Sequence, residues 1–363
     1  MINVGLVGCG YWGPNLLRSF CDNPRCRVIG VAELDSQRRE YIQQKFPNIP
    51  VTADYDDLFK EKTDAIVIAT DPLSHYPLAK EALSRHKHVL VEKPLAMNVE
   101  EAFDLVSLAR RNGRKLMVGH TFEYNAAVRE LKRHIDLRTL GQPYYLSSQR
   151  LNFGIVRKNV NALWSLAPHD ISILIYLLGT VPASVSARGF SFIQEGVEDI
   201  VFLTLKFPGH VIAHVHVSWL DPSKVRKISV VGSEKMIVYD DTAANKVQIY
   251  DKGIKKQNIS DSLGRFEDFG TYQLIKSAGN VILPKIDFKE PLKVECDHFI
   301  DCVANGGDVL TDGINGLKVV QVLEAAQASM RSGGEEIKIK EFPRTGSRLS
   351  EMNNEKLSVT GGR

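Results

Sequence analysis

Ile2-Asn3-Val4-Gly5-Leu6-Val7-Gly8-Cys9-Gly10-Tyr11-Trp12-Gly13, running on into Pro14-Asn15-Leu16-Leu17, opens the chain and decides its fold. Ile2–Val7 is a short apolar run that stops at a glycine, the pattern of a buried strand. Pro14–Cys21 has helical spacing, with proline in the first turn, where an amide has no helical partner to lose. Between them, Gly8–Gly13 fits G-x-G-x-x-G directly after a strand and at the start of a helix, the context in which that spacing carries meaning. Gly8 permits the tight turn, Gly10 lets a pyrophosphate reach the backbone, and Gly13 allows helix and strand to pack closely. The phosphates of a dinucleotide would rest on the positive end of the helix. Tyr11 and Trp12, inside the loop, stand beside that site.

Working outward, apolar strands alternate with helical patterns, as in a parallel sheet with crossover helices. Strands are expected at Cys26–Glu33, Thr63–Ala69, His88–Glu92 and Lys115–Gly119, and helices at Ser36–Phe46, Tyr76–Arg85 and Val99–Asn112, the last capped by Asn98. From about Tyr144 the pattern changes to longer alternating strands: Tyr144–Leu151, Ser184–Phe192, Asp199–Phe207, Val211–Leu220, Arg226–Gly232, Lys235–Asp240 and Lys246–Asp251. Phe207-Pro208-Gly209-His210 reads as a hairpin turn, and an apolar helix from about Leu163 to Leu178 ends at Gly179. Amphipathic helices are expected at Val294–Ala304 and Gly313–Ser332. The fold class is therefore α/β plus α+β: an N-terminal Rossmann parallel sheet and a C-terminal domain built on a large, mostly antiparallel open-faced sheet. The expected division is a dinucleotide-binding domain over 1–122, a substrate and oligomerisation domain over 123–343, and a mobile tail over 344–363, with the helices in 294–332 packing back on the first domain. The polar, basic stretch Gly253–Ser262 reads as a solvated loop.

At 363 residues the chain suits two domains, each able to bury a core. Lys plus Arg number 46 against 43 Asp plus Glu, a formal net charge of +3, far from the basic surface that nucleic-acid binding requires. The apolar runs Ala65–Thr70 and Ile171–Leu178 are too short to span a bilayer, and the start has no basic secretion signal, so no membrane partner is expected. Cys9, Cys21, Cys26, Cys296 and Cys302 form no CxxC pair and no zinc spacing, which suggests reduced thiols, a cytoplasmic protein and no metal site. His214 and His216 share one strand face without a matching carboxylate or cysteine and read as sheet residues.

Glu33 ends the second strand twenty positions beyond Gly13, where an acid can accept hydrogen bonds from both ribose hydroxyls. It repels a 2′-phosphate: at ~4 Å and an effective dielectric constant of ~20, each pair of unit charges costs about 4 kcal/mol. NAD is therefore expected as cofactor; Arg38, close by, would offset part of the repulsion and keeps NADP as the alternative.

The fourth strand ends in Glu92-Lys93-Pro94, at the edge of the sheet where open α/β folds bind ligands. Pro94 restricts Lys93 to an extended backbone, aiming one ammonium into the crevice. Together with Gly8–Gly13, Thr70-Asp71-Pro72-Leu73-Ser74-His75, Gly119-His120 followed by Tyr124-Asn125, and Trp164–Asp170, this order of motifs resembles the Gfo/Idh/MocA family of sugar and polyol oxidoreductases over nearly the whole length. The resemblance implies that Lys93 and His169 face the nicotinamide across the substrate, with the second sheet forming the wall and often an oligomer interface. It implies cofactor contacts at Thr70, His75, Glu92 and Lys93, and substrate contacts at Tyr124, Asn125, Arg150, Arg157, Asn161 and Trp164. An imidazole suits proton removal from a hydroxyl at neutral pH, and an ammonium stabilises the alkoxide character that develops. A guanidinium clamps carboxylate or phosphate, and an indole stacks on a sugar ring. Two positions depart from the family pattern: Ser165 and Ser172 stand where many members carry acids.

The reading that follows is a dehydrogenase or ketoreductase moving a hydride between a secondary hydroxyl of a sugar, free or nucleotide-linked, and nicotinamide, in a homo-oligomer of two or four chains. The resemblance also admits an NAD-using glycoside hydrolase acting by transient oxidation and elimination, and a non-catalytic NAD-binding sensor, against which Lys93 argues.

Overall fold

The structure, a computed structural model, describes residues 1–60, 62–154, 159–253 and 279–340. Arg157, the tail over 344–363 and residues 254–262 of the expected loop lie outside the described residues.

Strands β1 (Ile2–Val7), β2 (Cys26–Ala32), β3 (Val51–Thr52), β4 (Ala65–Ile68), β5 (His88–Val91) and β6 (Leu116–Val118) form one sheet in the order β3-β2-β1-β4-β5-β6. Every pairing in it is parallel. All four residues of β4 are buried, as a central strand covered on both faces requires. Helices α1 (Gly13–Cys21), α2 (Ser36–Lys45), α3 (His75–Ser84) and α4 (Val99–Arg111) make the crossovers. Asn98 caps α4 as expected, its side chain accepting from Glu101 N at 2.8 Å. The chain leaves β1 toward β2 on one side and returns to β4 on the other, and this reversal opens a crevice at the carboxyl ends of the strands. The edge strand β3 was not expected; two residues carry no periodicity to read.

Nor was α5 (Ala126–Asp136) expected. Its charged run Arg129-Glu130-Leu131-Lys132-Arg133 masks a narrow buried stripe of Ala127, Val128 and Leu131. Asn125 starts it by accepting from Ala127 N at 2.9 Å.

The second sheet comprises β7 (Pro143–Phe153), β8 (Ser184–Phe190), β9 (Ile200–Phe207), β10 (Val211–Ser218), β11 (Leu220–Gly232), β12 (Met236–Asp240), β13 (Val247–Tyr250), β14 (Val281–Ile282) and β15 (Ile337–Lys338). Their order is β14-β13-β12-β11-β7-β10-β9-β8-β15, antiparallel except where β7 pairs with β10. β9 and β10 alternate buried and more accessible residues, so one face of the sheet is covered and the other open. Gly209 and His210, with φ of +78° and +62°, make the β9–β10 hairpin.

Helix α6 (Ala162–Leu178) lies on the covered face, packed on β7, β9 and β10, and is apolar nearly all round. Asn161 caps it by accepting from Trp164 N at 3.2 Å, and Gly179, at φ +68°, ends it as expected. Helix α7 (Pro291–Asn305) begins three residues earlier than its periodicity indicates, with proline in its first turn. It packs back on α1 through an edge-on Phe20–Phe299 contact and polar links from Arg18 to Glu290, Asn23 to Asp297 and Arg25 to Asp301. Helix α8 (Gly313–Arg331) bridges the two sheets by packing on α4, α6 and β8. Among the described residues no helix is long and apolar enough to cross a membrane.

Candidate active site in the cleft between the sheets

A cleft of about 1530 Å³ runs from the glycine loop to the covered face of the second sheet. Its first end is built by the β1–α1 turn. Gly8 has φ +86°, and a Cβ there would lie 2.5 Å from Thr70 Cγ2 and 2.9 Å from the Ala69 carbonyl carbon, so glycine is required. A Cβ on Gly13 would lie 2.7 Å from the Gly8 oxygen, which is the close packing expected of that position. Arg38 Nη1 reaches over Gly10, 3.0 Å from where a Cβ would stand. Glu33, buried at the end of β2, accepts from Cys9 N at 2.6 Å and from Asp35 N at 3.0 Å. A carboxylate offers about four acceptor positions, so two remain for the hydroxyls of a ribose. Cradle, positive helix end and oriented acid together fit a dinucleotide. Glu33→Ala is expected to lower the ratio of kcat/KM with NAD to that with NADP by about tenfold or more, a one-charge effect; kinetics with each cofactor check it, and an unchanged ratio would move the ribose contact elsewhere.

Thr70 lines the cleft, and its hydroxyl accepts from Ser74 Oγ at 2.7 Å. His75 is fully buried behind it, with Nδ1 2.7 Å from the Pro94 oxygen and Nε2 3.3 Å from the Thr70 oxygen. It therefore ties two ligand-facing loops together and does not line the cleft itself. Burial holds its imidazole below its ordinary pKa.

At the middle of the cleft stands Glu92-Lys93-Pro94, with a cis peptide bond between Lys93 and Pro94. Glu92 is buried, and desolvation raises its carboxyl even though the Lys93 charge opposes this. Lys93 Nζ donates to the Ser165 carbonyl at 2.9 Å. That carbonyl belongs to the turn before Pro168, whose missing amide interrupts the α6 hydrogen-bond ladder. His169, one turn later, lines the same cleft. Its ring meets Phe122 edge-on at 5.1 Å between centroids, and its Nδ1 is buried with no partner among the described residues. Burial first, then the charges of Lys93, Arg150 and Arg226, hold the imidazole well below its ordinary pKa, so it is neutral at pH 7. His120 is buried off the cleft, where burial and then Lys93 push its pKa down to about 3.

Ser172 lacks a carboxylate of its own, but its Oγ donates to Glu123 Oε1 at 2.5 Å. The acid comes instead from the turn after β6. Glu123 also accepts from Asn315 Nδ2 at 3.2 Å, and burial raises its pKa to about 7. Asp170 turns away from the cleft and accepts from Ser148 Oγ at 2.7 Å and Arg150 Nε at 2.6 Å, all three buried.

The remaining expected substrate contacts divide. Asn125, Arg150 and Trp164 line the cleft, whereas Tyr124 and Asn161 do not. The Tyr124 hydroxyl lies 3.1 Å from Thr311 Oγ1, and Asn161 donates to Glu198 at 2.7 Å and Gln327 at 2.9 Å. Both anchor the helices behind the site. The sequence reading missed Phe122, which carries His169 and Arg150, and Arg226 and Asp241 on the far wall. Phe122 lies within a stretch already marked by Gly119-His120 and Tyr124-Asn125, so a signal existed. Arg226 and Asp241 have none, because only the pairing of β7 with β11 brings Arg226 to the cleft, and Asp241 follows it there by donating its amide to the Arg226 carbonyl at 2.9 Å. Among the described residues no group of His, Cys, Asp and Glu could hold a metal.

Residues 2–120 match the oxidoreductase family with an NAD-binding Rossmann fold, and residues 128–238 match the GFO/IDH/MocA C-terminal domain. The chain is 25% identical to the scyllo-inositol 2-dehydrogenase (NAD(+)) of Bacillus subtilis over 91% of this chain and 93% of that one. It is 22% identical to the UDP-N-acetylglucosamine 3-dehydrogenase of Acidithiobacillus ferrooxidans over 91% and 99%. Among solved structures, GenD2 from gentamicin A biosynthesis, in complex with NAD, superposes with a TM-score of 0.77 at 20% identity over 94% of this chain and 97% of that one.

Proposed function

Because the chain belongs to the Gfo/Idh/MocA oxidoreductase family, we propose that it transfers a hydride between a secondary hydroxyl of a sugar, free or nucleotide-linked, and NAD, with Lys93 and His169 as the catalytic pair. The observation that carries this reading is convergence: Lys93, from the end of β5, and His169, from α6, line one cleft with the glycine loop and Glu33. The sugar dehydrogenases among its relatives support the substrate class.

Bound NAD would lie along Gly8–Gly13 with its ribose on Glu33 and would supply the hydride acceptor. The chain's own residues handle the oxygen and its proton. An ammonium has three donors, so the Ser165 carbonyl can hold Lys93 Nζ while another N–H turns to the reacting oxygen and stabilises negative charge there. His169 Nε2, neutral at pH 7, takes the hydroxyl proton. Phe122 and the body of α6 shield the imidazole from water.

Screening nucleotide sugars, free sugars and inositols while following the absorbance of reduced nicotinamide tests the proposal. Net NADH formation with one class is the expected result; cleavage of a glycoside without net NADH, or tight NAD binding with no turnover of any of them, would overturn it. The depressed imidazole adds a pH prediction. A base whose pKa is lowered stays deprotonated until the pH falls through the lowered value, so kcat/KM for oxidation should show no His169 inflection near 6.5, and its acid limb should lie below that. A pH–rate profile with the limb at or above 6.5 would contradict the assignment.

We also propose a cytoplasmic homo-oligomer. The five unpaired cysteines suit a reducing compartment, and the open face of the second sheet carries the exposed Tyr145 and Ile212. A monomer by light scattering at micromolar concentration would overturn the assembly.

A further inference from the structure

Glu92, Glu123 and Glu295 are all buried beside the cleft, and only Glu123 has both its neighbours, Ser172 and Asn315, in place. Glu92, at the end of β5, lines the cleft and accepts at Oε2 from Lys93 N at 3.3 Å, and Trp12 of the glycine turn hydrogen-bonds the same carboxyl. Its Oε1 is buried with no partner among the described residues. Glu295, on α7, is fully buried and accepts at Oε2 from Thr121 Oγ1 at 2.7 Å, and its Oε1 is likewise without a partner. One short turn carries both acids. A Cβ on Gly119 would lie 3.0 Å from Glu92 Oε1 and 3.1 Å from Oε2, and Thr121, two residues on, holds Glu295. His120, between them, is 1% exposed, and neither of its ring nitrogens has a partner among the described residues. Buried polar groups are nearly always hydrogen-bonded, so unbonded atoms gathered on one turn mark bonds completed by water or by a shared proton.

The charges favour a shared proton. Lys93 is the cation that bears on Glu92 and His120, Glu92 and Glu123 bear on Glu295, and burial together with Glu295 keeps the neighbouring Cys296 a neutral thiol. Burial raises both carboxyls, and Glu295 the further because two acids face it, so Glu295 is protonated at pH 7. Its Oε2 accepts from Thr121 as a carbonyl oxygen does, which puts the proton on Oε1. That O–H lacks an acceptor, and Glu92 Oε1 lacks a donor.

We propose that Glu92 and Glu295 act as a proton-sharing pair that gives one proton to solvent when the cationic nicotinamide of oxidised NAD enters the cleft, so that cofactor binding depends on pH and on oxidation state. The inference goes beyond the dehydrogenase reading and rests on it for the place of the dinucleotide. A dinucleotide laid on Gly8–Gly13 with its hydride acceptor at Lys93 and His169 passes Glu92, which touches that turn through Trp12 and immediately precedes Lys93. A positive ring beside the partly protonated Glu92 favours the carboxylate, its proton leaves to solvent, and the Glu295 O–H donates to the new charge, directly or through one water. Charge balances, since one cation enters and one proton departs. The neutral ring of NADH brings no such change. The sign follows from a raised carboxyl: the ionised form that favours the cation is present above the raised value and is lost as pH falls through it, so higher pH favours oxidised NAD.

The test titrates the full chain with oxidised NAD and with NADH by calorimetry at pH 7, in PIPES and in Tris, whose different heats of ionisation reveal protons exchanged on binding. Release of about half a proton to one proton per oxidised NAD is expected, and little or none for NADH. Affinity for oxidised NAD should rise with pH by up to about tenfold per unit, the limit for one proton, while that for NADH stays flat. Glu92→Gln should remove both the release and the pH dependence. Glu295→Met, which takes away the donor, should move the midpoint of the affinity curve up by about one pH unit, the worth of a hydrogen bond to a charged group; Glu295→Gln, whose amide N–H still donates, should leave it in place. Binding of oxidised NAD without proton release, equal release with NADH, release that persists in Glu92→Gln, or a midpoint unmoved in Glu295→Met would overturn the pair and leave the dehydrogenase reading intact. Failure of either cofactor form to bind at all would overturn the dinucleotide site, and the pair with it.

Discussion

Lys93→Ala is expected to lower kcat by about 10²- to 10³-fold while NAD affinity stays within a few-fold of the native value. The magnitude is that of removing one preorganised donor from developing oxyanion charge, about 2.7–4 kcal/mol of barrier. The selectivity follows from position: Lys93 Nζ reaches across the cleft to the Ser165 carbonyl on α6, whereas the proposed phosphate and ribose cradle is made by the β1–α1 turn and Glu33. Stopped-flow turnover and a fluorescence titration with NAD separate the two quantities. Turnover that survives intact would discredit the role of the ammonium, and a matching loss of NAD affinity would make Lys93 a cofactor ligand instead. A secondary consequence is readable by NMR. Lys93 is the largest charge cause of the depressed His169 pKa, so the His169 imidazole should titrate at higher pH in the variant.

Asp170→Ala is expected to destabilise the fold by about 3–5 kcal/mol, the cost of leaving a buried charge without its partner. Asp170 is 1% exposed and receives Arg150 through Nε at 2.6 Å and Nη2 at 3.3 Å, together with Ser148 Oγ at 2.7 Å. The contacts pin α6 to β7 beside His169. Without the carboxylate, the Arg150 guanidinium, 4.5 Å above the Phe122 ring, stays buried and uncompensated or turns into the cleft. Urea denaturation with an unchanged m-value would measure the loss. A change below about 1 kcal/mol, the range of an exposed ion pair, would show that the pair is dispensable.

The two examples differ in how far the amino-acid order foretold them. Lys93 was legible because a strand, an acid, a lysine and a proline follow one another and a strand end has a known place in an open α/β sheet. The glycine cradle and Glu33 were legible for the same reason: each is local, set within some thirty residues by backbone conformation and chain direction. The Asp170–Arg150 pair was not. Its partners lie twenty positions apart on a helix and a strand, and only the packing of α6 on β7 joins them. Asn161 and Tyr124 show the converse, since polar residues near a motif need not line the cleft. Their polar groups are spent on Glu198, Gln327 and Thr311, brought up by later parts of the chain.

By itself, then, the order of residues determined the parallel sheet, its glycine-rich turn, the acid that ends β2 and the Lys93 and His169 side chains on which the proposed chemistry rests. All of these follow from short-range periodicity and from what glycine, proline and a strand-end acid can do. Tertiary structure alone decided the rest: that Glu123 stands behind Ser172, that Phe122 shelves His169, and that Arg226 closes the far wall. The reason is physical. A β-strand carries no information about which strand will lie beside it, and burial in the assembled core sets which charges are paired, neutralised or left facing the cleft.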